Sequence, residues 1–230
     1  VNKILYLMFT EGYLSVNHEL SIRQELCDEA IRLATILANN KVGQIPETFA
    51  LLALMNFHMA RMTARQDSSG GLILLEQQDR LLWDKQKIQA GLVWLEKSSK
   101  GDNFSRYHAE AGIAAEHCLA KSFQQTRWDR IAENYLLLEQ VSPSVIHRLN
   151  RAVAVAEWQD PATGLAILNG FEPPDRITGS FLWRAVLADL HRRNGDINIA
   201  RGYHNEALKL APTPAIKELL EQRFKKGEAD

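Results

Sequence analysis

Apolar residues recur at helical spacing along most of the chain, and breaks rich in glycine, proline or asparagine separate the resulting segments. Within Glu19–Asn39, for example, Leu26, Ala30 and Leu33 are three or four positions apart, with charged residues between them. Sustained apolar/polar alternation, the pattern of a half-buried strand, is absent from the sequence. The apolar tetrad Leu72–Leu75 is too short to form a sheet. The pattern therefore predicts an all-α chain of about ten helices joined by short turns.

Glycine, asparagine and proline mark the predicted helix ends, because these residues favour helix termini and turns. Pro46 suits the first turn of a helix, where its missing N–H costs nothing. Gly170–Asp175, which contains two prolines, is the clearest linker. The predicted helices are Val1–Gly12, Glu19–Asn39, Pro46–Thr63, Asp84–Ser98, Phe104–Ala120, Arg127–Gln140, Val145–Trp158, Pro161–Leu168, Ser180–Asn194, Ile197–Leu210 and Pro214–Lys225.

The last third of the chain carries a repeat pattern. The tetratricopeptide repeat is a helix–turn–helix unit of roughly 34 residues, with small residues where its two helices approach and a proline after the second. In Phe181–Pro214 the small positions fall on Ala188, Ala200 and Ala207, and Gly195 falls at the turn. A degenerate copy precedes it, with small residues at Ala152 and Gly164. The pattern favours stacked antiparallel helix pairs that form a right-handed α-superhelix.

The helix predicted from Pro46 is apolar nearly all the way round, which is typical of a helix buried among other helices. Yet His58, Arg61 and Arg65 lie on one stripe of it. A loop of two serines and two glycines, residues 68–71, leads to a segment rich in charged side chains. Because buried charges are costly unless they are paired, we expect the two segments to meet. The second segment contributes Glu76, Asp79, Arg80, Trp83 and Asp84.

Two interpretations of this polar cluster remain open: an internal ion-pair network that holds the loop against the helix, or a polar pocket for a small ligand or a partner's side chain. An all-helical hydrolase or lyase with Glu76 or Asp79 as base and His58 as acid is a further alternative. The same three residues could ligate a divalent ion. However, nothing in the sequence sets a ligand spacing or pairs a nucleophile with a base. The sequence therefore predicts no enzyme, no metal and no cofactor.

Composition narrows the functional classes. The 27 basic and 28 acidic side chains leave a net charge of −1, which gives no reason to expect this chain alone to bind nucleic acid. Its two cysteines, Cys27 and Cys118, fit neither a disulfide framework nor a zinc motif, and buried free thiols are predicted. Neither a signal peptide nor an apolar run of about 18 residues is present. We therefore expect a cytoplasmic location.

Five sequence blocks together resemble the C-terminal extension of a group of extracytoplasmic-function (ECF) RNA polymerase sigma factors. Two departures are Thr10, where the family usually has Asn, and Leu81 or Leu82, where Ser is common. The match extends over nearly the whole chain. The blocks are Leu5–Tyr13, Glu29–Leu33, Leu51–Met55 with His58, Arg61, Arg65 and Asp67, Leu74–Arg80 with Trp83 and Asp84, and Leu149–Ala154.

The resemblance implies a tetratricopeptide-like regulatory region that contacts RNA polymerase core, the sigma factor's own DNA-reading domains or a regulatory protein during transcription initiation. Those two domains are not apparent in the sequence, and the start at Val1 suggests a piece of a longer protein. The alternative is a free-standing helical-repeat scaffold that binds peptides. The expected division is a helical domain with the polar cluster at residues 1–125 and the repeats at 126–230. The candidate site residues are Glu11, His58, Arg61, Arg65, Asp67, Glu76, Asp79, Arg80, Trp83, Asp84, Asn150 and Arg151.

Overall fold

A computed structural model of the chain describes residues 1–13, 23–65, 73–171, 174, 177 and 180–226, without the side chains of residues 215, 225 and 226. The described residues contain helices and no strand, so the all-α prediction is confirmed. None of these helices is long and apolar enough to cross a membrane. They are α1 (Asn2–Tyr13), α2 (Gln24–Asn39), α3 (Pro46–Ala60), α4 (Lys85–Ser98), α5 (Arg106–Leu119), α6 (Trp128–Val141), α7 (Val145–Trp158), α8 (Pro161–Leu168), α9 (Phe181–Arg193), α10 (Ile197–Leu210) and α11 (Pro214–Lys226).

The chain divides into two compact units, Val1–Arg127 and Trp128–Asp230. This division lies two residues after the boundary expected from the sequence. In the first unit α3 packs against α1, α2, α4 and α5. Its side chains are buried on every face, as its unbroken apolar pattern predicts: Leu51, Leu52 and Phe57 have no exposed surface. A central helix of this kind fixes the position of whatever follows its C-terminus.

Gly91 of α4 allows that helix to lie directly on α3. A Cβ atom at this position would come within 2.6 Å of the Phe57 ring, so only glycine fits without displacement. Gly12 plays a similar part between α1 and α2, where an added Cβ would lie 2.8 Å from the Arg23 carbonyl oxygen and from the Cys27 sulfur. Cys27 and Cys118 are buried free thiols, as predicted.

The chain between α3 and α4 contains short 3-10 turns in place of regular helix. The helix α3 ends at Ala60, three residues before the predicted end, because the Arg61 N–H donates to His58 O at 3.2 Å and tightens the last turn. Two backbone hydrogen bonds hold the following chain in place, from Ile73 N to Arg65 O (2.8 Å) and from Asp84 N to Ala60 O (2.9 Å). The segment that follows the loop therefore lies beside the end of α3. The turns are Met62–Arg65, Leu75–Gln77 and Arg80–Leu82.

The second unit contains the predicted helix pairs. Gly195 has a φ of +87° at the turn between α9 and α10, a conformation that favours glycine. The predicted small positions Ala188, Ala200 and Ala207 are all buried. In the preceding pair, a Cβ at Gly164 would lie 2.7 Å from the Ala152 carbonyl oxygen, so α7 and α8 approach closely. The tetratricopeptide-like register is therefore confirmed within this unit.

Candidate functional site

Three arginines gather around the end of α3 and the segment that returns to it; we call Arg61, Arg65 and Arg80 the arginine cluster. Arg61 follows the last turn of α3, and Arg65 ends the first 3-10 turn. Arg80 begins the turn that precedes α4. All three side chains are half-buried. The expected meeting of the two segments therefore occurs, although its chemistry differs from the expectation.

Trp83 is the centre of contact between the two segments. Its side chain is buried, with 4% of its surface exposed. The Arg61 guanidinium carbon lies 5.3 Å from the centroid of the Trp83 ring, and that of Arg80 lies 4.5 Å from it. Both cations thus interact with one aromatic ring, an attraction that strengthens when the groups are desolvated.

Neutral oxygen atoms accept the hydrogen bonds of Arg61 and Arg80. Arg80 Nη1 donates to two carbonyl oxygens at the end of α5, His117 O (2.6 Å) and Ala120 O (2.9 Å). These carbonyls carry the negative end of the helix dipole, which favours a cation there. Arg61 Nη2 donates to Gln78 Oε1 over a long 3.4 Å.

Arg65 and His58 contact α1 instead. Arg65 Nη1 donates to Tyr13 O at 3.0 Å, and its guanidinium carbon lies 3.8 Å from the centroid of the Tyr13 ring. The His58 ring lies 4.6 Å from the Tyr13 ring and is stacked on Phe9 at 6.2 Å. Tyr13 belongs to the first matched sequence block, but sequence reasoning did not assign it to the site. A tyrosine at a helix end beside a predicted cationic stripe is the signal that could have identified it.

The expectation that the arginines pair with Asp79 and Asp84 is wrong. Asp79 is exposed, and its carboxylate accepts from Leu81 N at 2.9 Å, which caps the following turn. Asp84 is also exposed and caps α4 by accepting from Gln86 N (2.8 Å) and Lys87 N (3.0 Å). Aspartate is a preferred N-cap residue because its short side chain reaches the free N–H groups of the first turn. Both carboxylates are thus engaged by backbone donors rather than by the arginine cluster.

The cluster holds its histidines neutral. Burial lowers the pKa of His58 to about 3, and the charges of Arg61 and Arg65 add to this effect. Burial also lowers the pKa of His117 to about 3, with further contributions from Arg61 and Arg80. The pKa values of Arg65 and Arg80 are lowered by burial and then by the neighbouring Arg61. These shifts share one cause, the confinement of positive charge in a poorly hydrated space.

Four nitrogen atoms in the cluster have no hydrogen-bond partner and no contact with solvent: Arg61 Nε, Arg80 Nη2, Trp83 Nε1 and His58 Nδ1. Native structures leave few buried polar atoms unpaired, and each such atom costs about 1–3 kcal/mol. Arginine and tryptophan nitrogens only donate hydrogen bonds, so three of these four require an acceptor. The cluster therefore has unused capacity to bind an acceptor group.

The other candidate residues are spread more widely. Glu11 and Glu76 are exposed, and Asp67 lies outside the described residues, as do positions 68–71. Arg151 belongs to the second unit, where its Nε donates to Glu139 Oε1 at 2.7 Å. Asn150 is half-buried in the same helix. Within its unit Arg151 forms an ion pair with Glu139, a residue that sequence reasoning missed.

The second unit has a separate groove of about 780 Å³. Its apolar and aromatic surface comes from Leu165 of α8, from Phe171 and from three residues of the α9–α10 pair. Among the described residues, no group of three or more His, Cys, Asp or Glu side chains is placed to hold a metal ion. The principal lining residues of the groove are Leu165, Leu168, Phe171, Trp183, Leu187 and Tyr203.

The chain is similar to proteins whose roles are unknown. The model of the Family of unknown function (DUF6596) matches residues 1–99, which include the whole arginine cluster. The chain is 36% identical over 212 residues to the "Uncharacterized protein R00370" of Rhizobium meliloti (strain 1021). That alignment covers 92% of this chain and 49% of the relative, so the chain spans about half the length of the curated relative that it matches. No solved structure matches it.

Proposed function

We propose that this chain is the regulatory, protein-binding C-terminal region of an ECF-type RNA polymerase sigma factor that acts in transcription initiation in the cytoplasm. One observation carries the proposal: residues from three of the matched sequence blocks contact one another. Tyr13 of the first block contacts Arg65 of the third, and Arg61 of the third contacts Trp83 of the fourth. Blocks that are far apart in the sequence thus build one site.

The chemistry of that site supports binding to a partner. In the described part of the chain, carbonyl or amide oxygens accept the hydrogen bonds of Arg61, Arg65 and Arg80, and no ion pair engages these three side chains. An acidic group of a partner would supply the missing charge, and arginines beside an aromatic ring are frequent at protein interfaces. Stacked helix pairs in the second unit offer further surface.

The length of the relative is compatible with this proposal. The region of the Rhizobium meliloti protein that matches this chain is 49% of its length. The remaining half has room for the two DNA-reading domains that the family resemblance implies. The proposed partners are accordingly RNA polymerase core, those DNA-reading domains or a regulatory protein, and this chain would meet DNA only through the other domains.

Two experiments test the proposal. The coding sequence upstream of Val1 should encode a basic helix-turn-helix domain. The full-length protein and a version without residues 1–230 should then be compared in transcription with RNA polymerase core. We expect the truncation to change the rate of initiation or abolish the response to the signal that controls the protein. A truncated protein that initiates normally and still responds to the signal would contradict the proposal.

A peptide-binding scaffold is a second candidate, and the groove of the second unit favours it. A groove of about 780 Å³ lined by Phe171, Trp183 and Tyr203 offers aromatic surface of the kind that peptides bind. If the full-length protein has no DNA-reading domain, this candidate replaces the first. An enzymatic role for His58 with Asp79 receives less support, because the Asp79 carboxylate caps a turn and the pKa of His58 lies near 3.

A further inference from the structure

Three N–H groups around one indole ring lack acceptors. Arg61 and Arg80 lie on the Trp83 ring, with guanidinium carbons 5.3 and 4.5 Å from its centroid, and the indole Nε1 belongs to that ring. Arg61 Nε, Arg80 Nη2 and Trp83 Nε1 are all buried and unpartnered. Since none of these atoms can accept a hydrogen bond, they cannot satisfy one another. An acceptor bound beside this ring would supply what these donors lack.

The charge around the ring defines the acceptor further. Arg61, Arg65 and Arg80 each carry a positive charge, and the hydrogen bonds they make go to uncharged oxygens. The neighbouring His58 stays neutral, so the positive charge of the site comes from the arginines. Two or three clustered positive charges favour a dianion over a monovalent carboxylate, because electrostatic attraction rises with the charge of the ligand. Guanidinium groups also match the geometry of phosphate oxygens.

We propose that Arg61, Arg80 and Trp83 form a binding site for a phosphate group, either inorganic phosphate or a phosphate monoester. The two guanidinium groups donate charge-assisted hydrogen bonds to the phosphate oxygens, and the indole N–H donates a third. Arg65 contributes charge from the neighbouring turn. This site does not depend on the sigma-factor proposal, since it follows from the donors in the first unit alone.

The weakest contact in the cluster provides a route to these donors. The Arg61 side chain is half-buried, and its hydrogen bond to Gln78 is long at 3.4 Å. Gln78 has a second bond, from its Nε2 to Ile73 O at 3.1 Å, which holds its amide when Arg61 leaves. Release of the Arg61 guanidinium from Gln78 would open space beside Trp83 for a small anion, and the released guanidinium would then donate to that anion. Arg80, with two short bonds to α5 carbonyls, would stay in place.

Titration of the purified chain with inorganic phosphate tests the site. At about 100 times the dissociation constant, we expect a saturable rise in the melting temperature of roughly 5 °C above that in sodium chloride of equal ionic strength. Tryptophan fluorescence should change over the same concentration range. O-phosphoserine in a parallel titration distinguishes a monoester from free phosphate as the preferred source.

Variants identify the donors. Arg61→Gln and Arg80→Gln should each weaken phosphate binding at least tenfold, the effect of losing one charge-assisted bond. Trp83→Phe should weaken it less, because the ring remains and only the N–H is lost. The matched control is Arg32→Gln, an exposed arginine of the same unit that pairs with Glu29. Arg61→Lys keeps the charge and tests binding if the glutamine variant fails to fold. A phosphate effect no larger than that of chloride, or one lost equally in Arg32→Gln, overturns the proposal.

Discussion

His58 lies between two aromatic rings and close to two arginines, and this setting decides its charge. Burial, followed by the charges of Arg61 and Arg65, lowers the pKa of its imidazole to about 3. The ring is therefore neutral at physiological pH, where its role is to pack on Tyr13 and Phe9. A second histidine, His117, is held neutral in the same way. Protonation of either would add charge to a cluster that already carries excess positive charge.

These shifted pKa values predict a loss of stability in acid. In the unfolded chain a histidine binds its proton near pH 6.5, whereas His58 in the folded chain does so near pH 3. Between these values the unfolded state holds the extra proton, so the free energy of unfolding falls as the pH decreases, by about 1.4 kcal/mol per pH unit for each such histidine. Urea denaturation of the wild type and of His58→Gln between pH 4 and 6 measures this slope. In the variant the free energy of unfolding should change less steeply with pH, by about 1.4 kcal/mol per pH unit. An unchanged slope would show that His58 is not held neutral.

Asp79 and Asp84 show which contacts of single residues can be predicted from the sequence and which cannot. Helical spacing predicts His58, Arg61 and Arg65 on one stripe of a helix, but α3 ends at Ala60. Beyond that end Arg61 contacts Trp83, whereas Arg65 contacts Tyr13. Opposite charge makes Asp79 and Asp84 possible partners of the arginines, but each directly precedes a helical turn and caps it. Aspartate favours N-cap positions, so an aspartate directly before a helical turn predicts a cap more strongly than an ion pair.

At the level of elements, the packing of α4 on α3 depends on one glycine. Replacing Gly91 by alanine should destabilise the chain by about 1–2 kcal/mol, because overlap with the fixed Phe57 ring outweighs the gain in helix propensity. The apparent free energy of unfolding, from urea denaturation followed by circular dichroism, measures this change.

Gly202 of α10 provides the matched control for that substitution. It is also helical, but a Cβ added there meets nothing within 4 Å. Gly202→Ala should therefore stabilise the chain by about 0.5–1 kcal/mol. Equal stabilisation by both substitutions would mean that α3 and α4 are not in direct contact at Gly91.

The sequence pattern predicts the bounds of the regular helices closely. It does not predict the conformation of the segment between α3 and α4. Helices α7, α8 and α10 begin and end at the predicted residues, because their apolar period and terminal residues agree. Residues 61–84 have no such period. Their turns are held by tertiary contacts, such as the hydrogen bond from Asp84 N to Ala60 O, which local sequence does not encode. The site lies in this irregular segment, so its approximate location was predictable but its contacts were not.

At the level of the whole molecule, the chain has two helical units with different surface chemistry. The first carries excess positive charge around Trp83, and the second carries an aromatic groove. The total charge of −1 conceals this local concentration of arginines, which only the folded structure reveals. A chain that is neutral overall can therefore present a cationic site to an acidic partner.

The most direct measurement of the proposed role is the affinity of this chain for RNA polymerase core and for the DNA-reading domains that the proposal places in the full-length protein. The account predicts saturable binding to at least one of them. That binding should weaken roughly tenfold or more in the double variant Arg61→Gln and Arg80→Gln, because removing one partner of a charge pair buried at an interface costs at least about 2 kcal/mol. The exposed-arginine variant Arg32→Gln should bind like the wild type. Absence of binding to both partners, or equal weakening by Arg32→Gln, would contradict the account.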